Sequence, residues 1–145
     1  GELGAHGLAA EAGISWSEHG DESILIVEDD ALVREYVVTQ ISRFGYHTMA
    51  AGNAAEALAI IDGPERFDLL FTDVNLCDGM DGTTLARRVR ELRPDLPVIY
   101  TSGQSTIDQS NTVEGAMFVS KPYDLLDVGR LIEHLMIAKR TRAFA

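Results

Sequence analysis

Three carboxylates, one hydroxyl and one ammonium follow short apolar runs of this sequence, and together they have the chemistry of a phosphoryl-transfer site. Glu28 and Asp29 come directly after one run, and Asp73 comes after another. Such a cluster is costly unless a cation neutralises it, and Mg²⁺ accepts carboxylates together with waters and a phosphate oxygen. Ser102 and Lys121 follow two further runs and offer a hydrogen bond and a positive charge to phosphoryl oxygens.

Within this site we expect Asp29 and Asp73 to bind the metal directly and Glu28 to act mostly through water. The backbone carbonyl of Asn75 could complete the protein ligands. An aspartate carboxylate can also attack phosphorus and form an acyl phosphate. Taken singly, each residue has an ordinary explanation as a helix cap or a turn residue. The functional interpretation rests on their occurrence together at the ends of strand-like runs.

The elements that position these residues are predicted from the apolar pattern. Residues 24–27, 69–72, 98–101 and 116–120 have the composition of parallel strands buried on both faces, and we expect residues 46–51 to form a further strand. Helical spacing of apolar residues fills the intervals. The carboxyl ends of parallel strands lie at one edge of the sheet, where ligands bind in such folds. Residues 105–114 contain few large apolar side chains, so we expect a helix there to be the least firmly anchored.

Composition limits the class of protein. At 145 residues and 46% hydrophobic, the chain is expected to form one domain. A net charge of -11 argues against nucleic-acid partners, and the single cysteine, Cys77, argues for a reducing compartment. No apolar run approaches the ~20 residues that cross a bilayer, so we expect a cytoplasmic protein without membrane contact. We assign residues 1–22 to a tail or linker, 23–140 to the domain and 141–145 to a second tail.

In its motifs the chain resembles the receiver domain of bacterial two-component response regulators over residues 23–140. The resemblance is carried by an acidic pair, an acceptor aspartate, a hydroxyl residue, a strand-five aromatic and a Lys-Pro pair, which here are Glu28-Asp29, Asp73, Ser102, Phe118 and Lys121-Pro122. It implies a doubly wound, flavodoxin-like α/β fold. That fold has a five-stranded parallel sheet in the order 2-1-3-4-5 and five helices.

The resemblance also implies a function. Asp73 is expected to take a phosphoryl group, with Mg²⁺, from the phosphohistidine of a histidine kinase or a histidine phosphotransfer protein. Ser102 and Phe118 are expected to move as a switch, and this movement remodels the face made by the fourth helix, the fifth strand and the fifth helix. Asn75 and Gln104 occupy the positions that tune the lifetime of the phosphoryl group. Such a module is not a conventional enzyme, although it catalyses its own phosphorylation and dephosphorylation.

The sequence leaves several alternatives open. The domain could be a free-standing regulator or a segment of a hybrid histidine kinase, and its downstream target and oligomeric state are not specified. Cys77 stands where the family commonly has proline, and the segment between Ser102 and Lys121 is short. A receiver-like binding module that works without phosphorylation is the main alternative. An aspartyl phosphatase fits poorly because Glu28 occupies its nucleophile position, and a flavin protein fits poorly because no Ser/Thr/Gly-rich loop follows the first strand.

Overall fold

The fold is built on a five-stranded parallel sheet. The computed structural model describes residues 22–76, 81–103 and 111–143 of the chain. The strands are β1 (Ser23–Val27), β2 (His47–Ala51), β3 (Leu69–Asp73), β4 (Val98–Ser102) and β5 (Met117–Ser120). Their order is β2-β1-β3-β4-β5, with every neighbouring pair parallel. The predicted doubly wound fold and strand order are confirmed.

Four helices lie within the described part of the chain. They are α1 (Ala31–Arg43), α2 (Ala54–Ile61), α3 (Gly82–Leu92) and α4 (Leu125–Ala143). Here α4 is the last of the five predicted helices, and it continues beyond the domain boundary predicted at residue 140. Most of the helix predicted over residues 105–114 falls outside the described residues, as do Cys77, Gln104 and residues 1–21 of the predicted tail. None of the described helices is long and apolar enough to cross a membrane.

The helix ends follow the capping rules. Asp30 caps α1 by accepting hydrogen bonds from the backbone N–H groups of Leu32 and Val33, at 3.0 and 3.2 Å. Asn53 caps α2 in the same way through the N–H of Glu56, at 2.8 Å. The chain leaves α1 through Gly45, whose φ of 101° lies in the left-handed region that glycine adopts without strain. Asp, Asn and Gly are residue types that are favoured at these helix ends.

The core lies on both faces of the sheet because successive side chains of a strand point to opposite faces. One layer packs Ile24, Ile26, Phe71 and Ile99 together with side chains of α1 and α4, and the other packs Leu25, Val27, Leu70 and Tyr100 with side chains of α2 and α3. These residues are at most 2% exposed. Burial on both faces explains why the strands are continuous apolar runs.

Two strands begin one residue later than the sequence pattern indicates. Strand β2 starts at His47 and β5 at Met117, whereas residues 46 and 116 were predicted to be their first residues. In both places a turn precedes the strand. The N–H of Ala116 bonds to the carbonyl of Val113, at 3.3 Å, and the turn at Gly45 places Tyr46 just before the pairing with β1 begins. The predicted strands were therefore one residue too long at the start, because each included an apolar residue that precedes the strand.

Candidate functional site

The strand register brings the predicted site residues to one edge of the sheet. Val27 pairs with Thr72, so Glu28 and Asp73 are the next residues of two adjacent strands. Asp73 pairs with Thr101, which places Ser102 one residue further along β4. Ser102 pairs with Ser120, and the backbone N–H of Lys121 donates to the carbonyl of Ser102 at 2.8 Å. The edge therefore presents two carboxylates, a hydroxyl and an ammonium side by side.

Lys121 is the cation of the site. Its Nζ lies 2.6 Å from Oδ2 of Asp73 and 3.0 Å from Oε1 of Glu28. Both carboxylates are almost fully buried, Glu28 at 2% exposure and Asp73 at 6%. Burial alone would lower the pKa of Lys121, but the hydrogen bonds and charges of Asp73 and Glu28 outweigh it and raise that pKa. Lys121 is therefore charged at neutral pH.

Glu28 is held in place on both its side chain and its backbone. Burial raises the pKa of its carboxyl, and the hydrogen bond from the N–H of Asp30, at 3.0 Å, together with Lys121 opposes this rise. Arg34 donates from Nη1 to the backbone carbonyl of Glu28 at 2.7 Å. Glu28 is thus fixed by contacts from the N-cap residue and the first turn of α1.

Both carboxylate oxygens of Asp73 accept hydrogen bonds. Oδ1 accepts a hydrogen bond from the backbone N–H of Asn75 at 3.1 Å, and Oδ2 accepts the contact from Lys121. Its backbone carbonyl accepts a hydrogen bond from Oγ1 of Thr72 at 3.0 Å. The N-terminus of α3 packs on this peptide, because the N–H of Gly82 bonds to the carbonyl of Val74 at 2.7 Å. These contacts fix the orientation of the carboxylate.

The three acidic residues converge as a possible metal site. Single carboxylate oxygens of Glu28, Asp29 and Asp73 all lie within 4.8 Å of one another. Asp29 is half-buried, between the buried Glu28 and the exposed Asp30. Hard oxygen donors at this spacing suit a small divalent cation such as Mg²⁺. These oxygen donors therefore fit Mg²⁺, the metal that the sequence predicts. The carboxylate of Asp30 instead caps α1.

The predicted switch residues are not directly opposite each other. Ser102 is buried at the end of β4, while Phe118 of β5 lies opposite Tyr100, two residues earlier on β4. The Tyr100 and Phe118 rings are stacked, with centroids 5.6 Å apart and an interplanar angle of 26°. Asn75 is exposed, and Gln104, the other predicted lifetime residue, lies outside the described residues.

Several supporting residues were not found by the sequence reasoning. Arg34 offered one signal, since a cation in the first turns of a helix is unfavourable for the helix dipole unless another contact holds it. Tyr123 offered no signal. Its ring packs edge-on against Phe71, with centroids 6.0 Å apart, and burial, followed by the nearby charge of Glu28, raises its pKa to about 12. Gly82 and Tyr100 become significant only through contacts between elements.

The fold and this edge together define a class: a doubly wound α/β domain with an acidic and lysine-containing site at the carboxyl ends of its strands. The model of the response regulator receiver domain family matches residues 24–133. The chain therefore belongs to the response regulator receiver domain family of two-component signalling.

Curated relatives and solved structures agree with this assignment. The chain is 36% identical to the response regulator receiver protein CpdR of Brucella abortus, over 79% of this chain and 97% of that protein. It is 32% identical to the DNA-binding transcriptional regulator NtrC of a Bradyrhizobium strain, of which it spans only 25%. A receiver protein of Sinorhizobium medicae has a similar structure, with a TM-score of 0.77 and 25% identity, over 81% of this chain and 95% of that one.

A structure of a receiver domain from a histidine kinase is also similar. The receiver domain of the hybrid histidine kinase CckA has a TM-score of 0.66 and 31% identity, over 78% of this chain and 97% of that one. Relatives therefore include a short receiver protein, transcriptional regulators about four times as long as the matched region and a hybrid kinase. The receiver domain is common to all of them.

Proposed function

We propose that this receiver domain is a phosphoacceptor in which Asp73 takes a phosphoryl group from a phosphohistidine, with Mg²⁺ as cofactor. The single observation that carries the proposal is the position of Asp73. Its carboxylate is 6% exposed, its Oδ2 lies 2.6 Å from Lys121 Nζ, and it stands next to two further carboxylates. A buried, oriented carboxylate beside a fixed cation is a nucleophile prepared for an anionic substrate.

The proposed reaction moves one phosphoryl group between two nucleophiles. An oxygen of the Asp73 carboxylate attacks phosphorus, a new O–P bond forms, and the P–N bond of the phosphohistidine breaks. The bonding pair returns to the imidazole nitrogen of the donor. The product is an acyl phosphate, which water later hydrolyses to restore the carboxylate and release phosphate. Catalysis is mainly a matter of position and charge, since such transition states need little covalent help.

Mg²⁺ would be held by Asp29 and Asp73, with Glu28 nearby. When bound, it would neutralise negative charge on the phosphoryl group. The backbone carbonyl of Asn75 stays a predicted ligand. Lys121 pairs with both Asp73 and Glu28, and its ammonium is available to a phosphoryl oxygen at the same edge. Ser102, buried at the end of the neighbouring strand, is the proposed hydrogen-bond donor to another phosphoryl oxygen. Asn75 and Gln104 remain the proposed lifetime-tuning residues.

The partner class follows from the donor chemistry and from the surface beside the site. Leu32 and Tyr36 of α1 are 79% and 55% exposed and lie one turn apart on one face of the helix. Leu32 is three residues beyond Asp29, so this apolar pair is at the rim of the acidic site. We infer that it contacts the histidine-bearing element of a histidine kinase or a histidine phosphotransfer protein.

The proposal is tested with a small P–N donor. The chain is incubated with phosphoramidate and Mg²⁺, and intact mass is followed for the wild type, Asp73→Asn and the exposed loop variant Asp95→Asn. We expect one phosphoryl group on the wild type and on Asp95→Asn, and none on Asp73→Asn. Folded wild-type protein that stays unlabelled would instead favour the alternative, a receiver-like binding module that acts without phosphorylation.

A further inference from the structure

Tyr100 contacts β5 and the segment that precedes it at two separate points. Its ring is fully buried in β4 and stacks on Phe118 of β5. Its hydroxyl accepts a hydrogen bond from the backbone N–H of Val113 at 3.2 Å. Val113 and Phe118 are five residues apart, and one side chain therefore fixes both the approach to β5 and the aromatic residue within it.

The segment that Tyr100 holds is a tight turn. The carbonyl of Val113 accepts a hydrogen bond from the N–H of Ala116 at 3.3 Å, and Gly115 between them has a φ of 77°. A positive φ at this position is the geometry of a type II turn. Arg87 of α3 makes a second contact just before the turn, from Nη1 to the carbonyl of Asn111 at 2.8 Å. That contact is exposed and competes with water, whereas the hydrogen bond between Val113 and Tyr100 is partly buried.

Tyr100 is also connected to the acidic site. Tyr100 and Ser102 are two residues apart on β4, so their side chains leave the strand on the same face. Lys121 is bonded through its N–H to the carbonyl of Ser102, which joins the ends of β4 and β5. A phosphoryl group on Asp73 would bring close to two negative charges next to Ser102 and Lys121. Because protein interiors are close-packed, a shift of either strand end must change the contact between the Tyr100 and Phe118 rings.

We propose that Tyr100 is the positioning residue that couples the phosphoryl site to residues 113–118, and that its hydrogen bond with Val113 is kept in the unphosphorylated chain and released on phosphorylation. This inference rests on the proposed phosphoacceptor function. A bond made in only one of two states biases the equilibrium toward that state. By linkage, the bond between Val113 and Tyr100 must therefore oppose phosphorylation of Asp73.

The test uses Tyr100→Phe, which removes the hydroxyl and keeps the ring. Tyr46→Phe is the matched control, since Tyr46 is also buried, at 4% exposure, but packs with the residues of the opposite face. Labelling of Asp73 by a small acyl phosphate with Mg²⁺ should be about two- to tenfold faster in Tyr100→Phe, as expected for the loss of one net hydrogen bond. Tyr46→Phe should label at the wild-type rate.

Amide hydrogen exchange at Val113 provides a readout in the unmodified chain. Exchange at Val113 should quicken when the wild type is phosphorylated, and in Tyr100→Phe it should be fast both with and without the phosphoryl group. Full labelling of the wild type with unchanged exchange at Val113 would overturn the inference while leaving the phosphoacceptor function intact. Equal labelling rates of Tyr100→Phe and wild type would also overturn it. Absence of label on the wild type would overturn the phosphoacceptor function and this inference together.

Discussion

At the scale of single residues, the site is a cluster of buried and partly buried charged groups. Lys121 faces two carboxylates, at 2.6 and 3.0 Å, that are both almost inaccessible to water. Removing Lys121 from this group would leave two buried carboxylates without a counter-charge, which is strongly unfavourable. Mg²⁺ would act on the same carboxylates, and Asp29 is the least buried of the three acidic residues. Asp29 is therefore where metal binding can be tested with least disturbance of the fold.

We predict that Asp29→Asn weakens Mg²⁺ binding by at least about tenfold, since loss of even a supporting partner commonly costs that much. Calorimetric titration of Mg²⁺ measures this directly. Asp30→Asn is the matched control because it removes the adjacent charge and keeps a side chain that caps α1. The control should bind Mg²⁺ within about twofold of the wild type. Equal affinities of Asp29→Asn and the wild type would remove Asp29 from the metal site.

Sequence reasoning found the residues that carry charge at the strand ends, because each follows an apolar run and the runs must end at one edge. It predicted that Glu28, Asp29, Asp73, Ser102 and Lys121 come together, and the register shows this arrangement. Arg34 and Tyr100 could not be assigned in that way. Their contacts are with a backbone carbonyl and a backbone N–H, and every residue supplies such groups.

At the scale of elements, the close packing of α3 on the end of β3 positions Asp73. The N-terminal residue of α3 is Gly82, which is buried against the Asp73 peptide. A Cβ atom at Gly82 would overlap the carbonyl oxygen of Asp73 and lie 2.9 Å from Oγ1 of Thr72. The obstacle is backbone, which cannot turn aside as a flexible side chain can. Because glycine has only a hydrogen atom in place of a side chain, Gly82 permits both the packing of α3 and the orientation of Asp73.

Gly82→Ala should accordingly lower the free energy of unfolding by about 1–3 kcal/mol, the usual cost of overpacking a close contact. Denaturant unfolding measures the loss. Gly103→Ala is the control, because a Cβ there meets nothing within 4 Å and its φ is not in the left-handed region. We expect the control to be neutral or slightly stabilising, by up to about 1 kcal/mol. A similar stability of the two variants would show that α3 can move away from Asp73 without cost.

The existence and order of the elements were predictable, and two of their limits were not. Continuous apolar runs are local signals, so β1, β3 and β4 agree with the predicted strands to within one residue at each end, and α1 and α2 begin directly after their capping residues Asp30 and Asn53. The starts of β2 and β5 were predicted one residue early, since an apolar residue in a turn resembles a strand residue.

At the scale of the whole molecule, the receiver domain is the part that this chain has in common with proteins of different length. The chain spans 97% of CpdR from Brucella abortus but about a quarter of the NtrC relatives. The region of the chain that matches each of these relatives is 118 to 123 residues long, the size of one domain. On the proposed function, exchange of a phosphoryl group with a protein partner would depend on the surface around the acidic edge of the sheet, and Leu32 and Tyr36 are exposed on α1, which follows Asp29 and Asp30.

Leu32→Ala should slow phosphoryl transfer from a histidine phosphotransfer protein that labels the wild type, by at least about fivefold, as for an interface residue that contributes substantially to binding. Labelling by a small acyl phosphate should not change, since the small donor needs no docking surface. Leu92→Ala is the matched control, because Leu92 is also exposed, at 51%, but lies at the far end of α3. If both leucine variants accept the phosphoryl group from the protein donor at the wild-type rate, the partner docks elsewhere.

The central claim is that Asp73 itself carries the phosphoryl group, and peptide mapping tests it most directly. The chain is incubated with a small acyl phosphate and Mg²⁺, digested under acidic conditions and mapped by mass spectrometry beside Asp73→Asn. We expect one base-labile phosphoryl group on the peptide that contains Asp73, and none on the variant. A phosphoryl group on any other residue, or equal labelling of a folded Asp73→Asn protein, would contradict it.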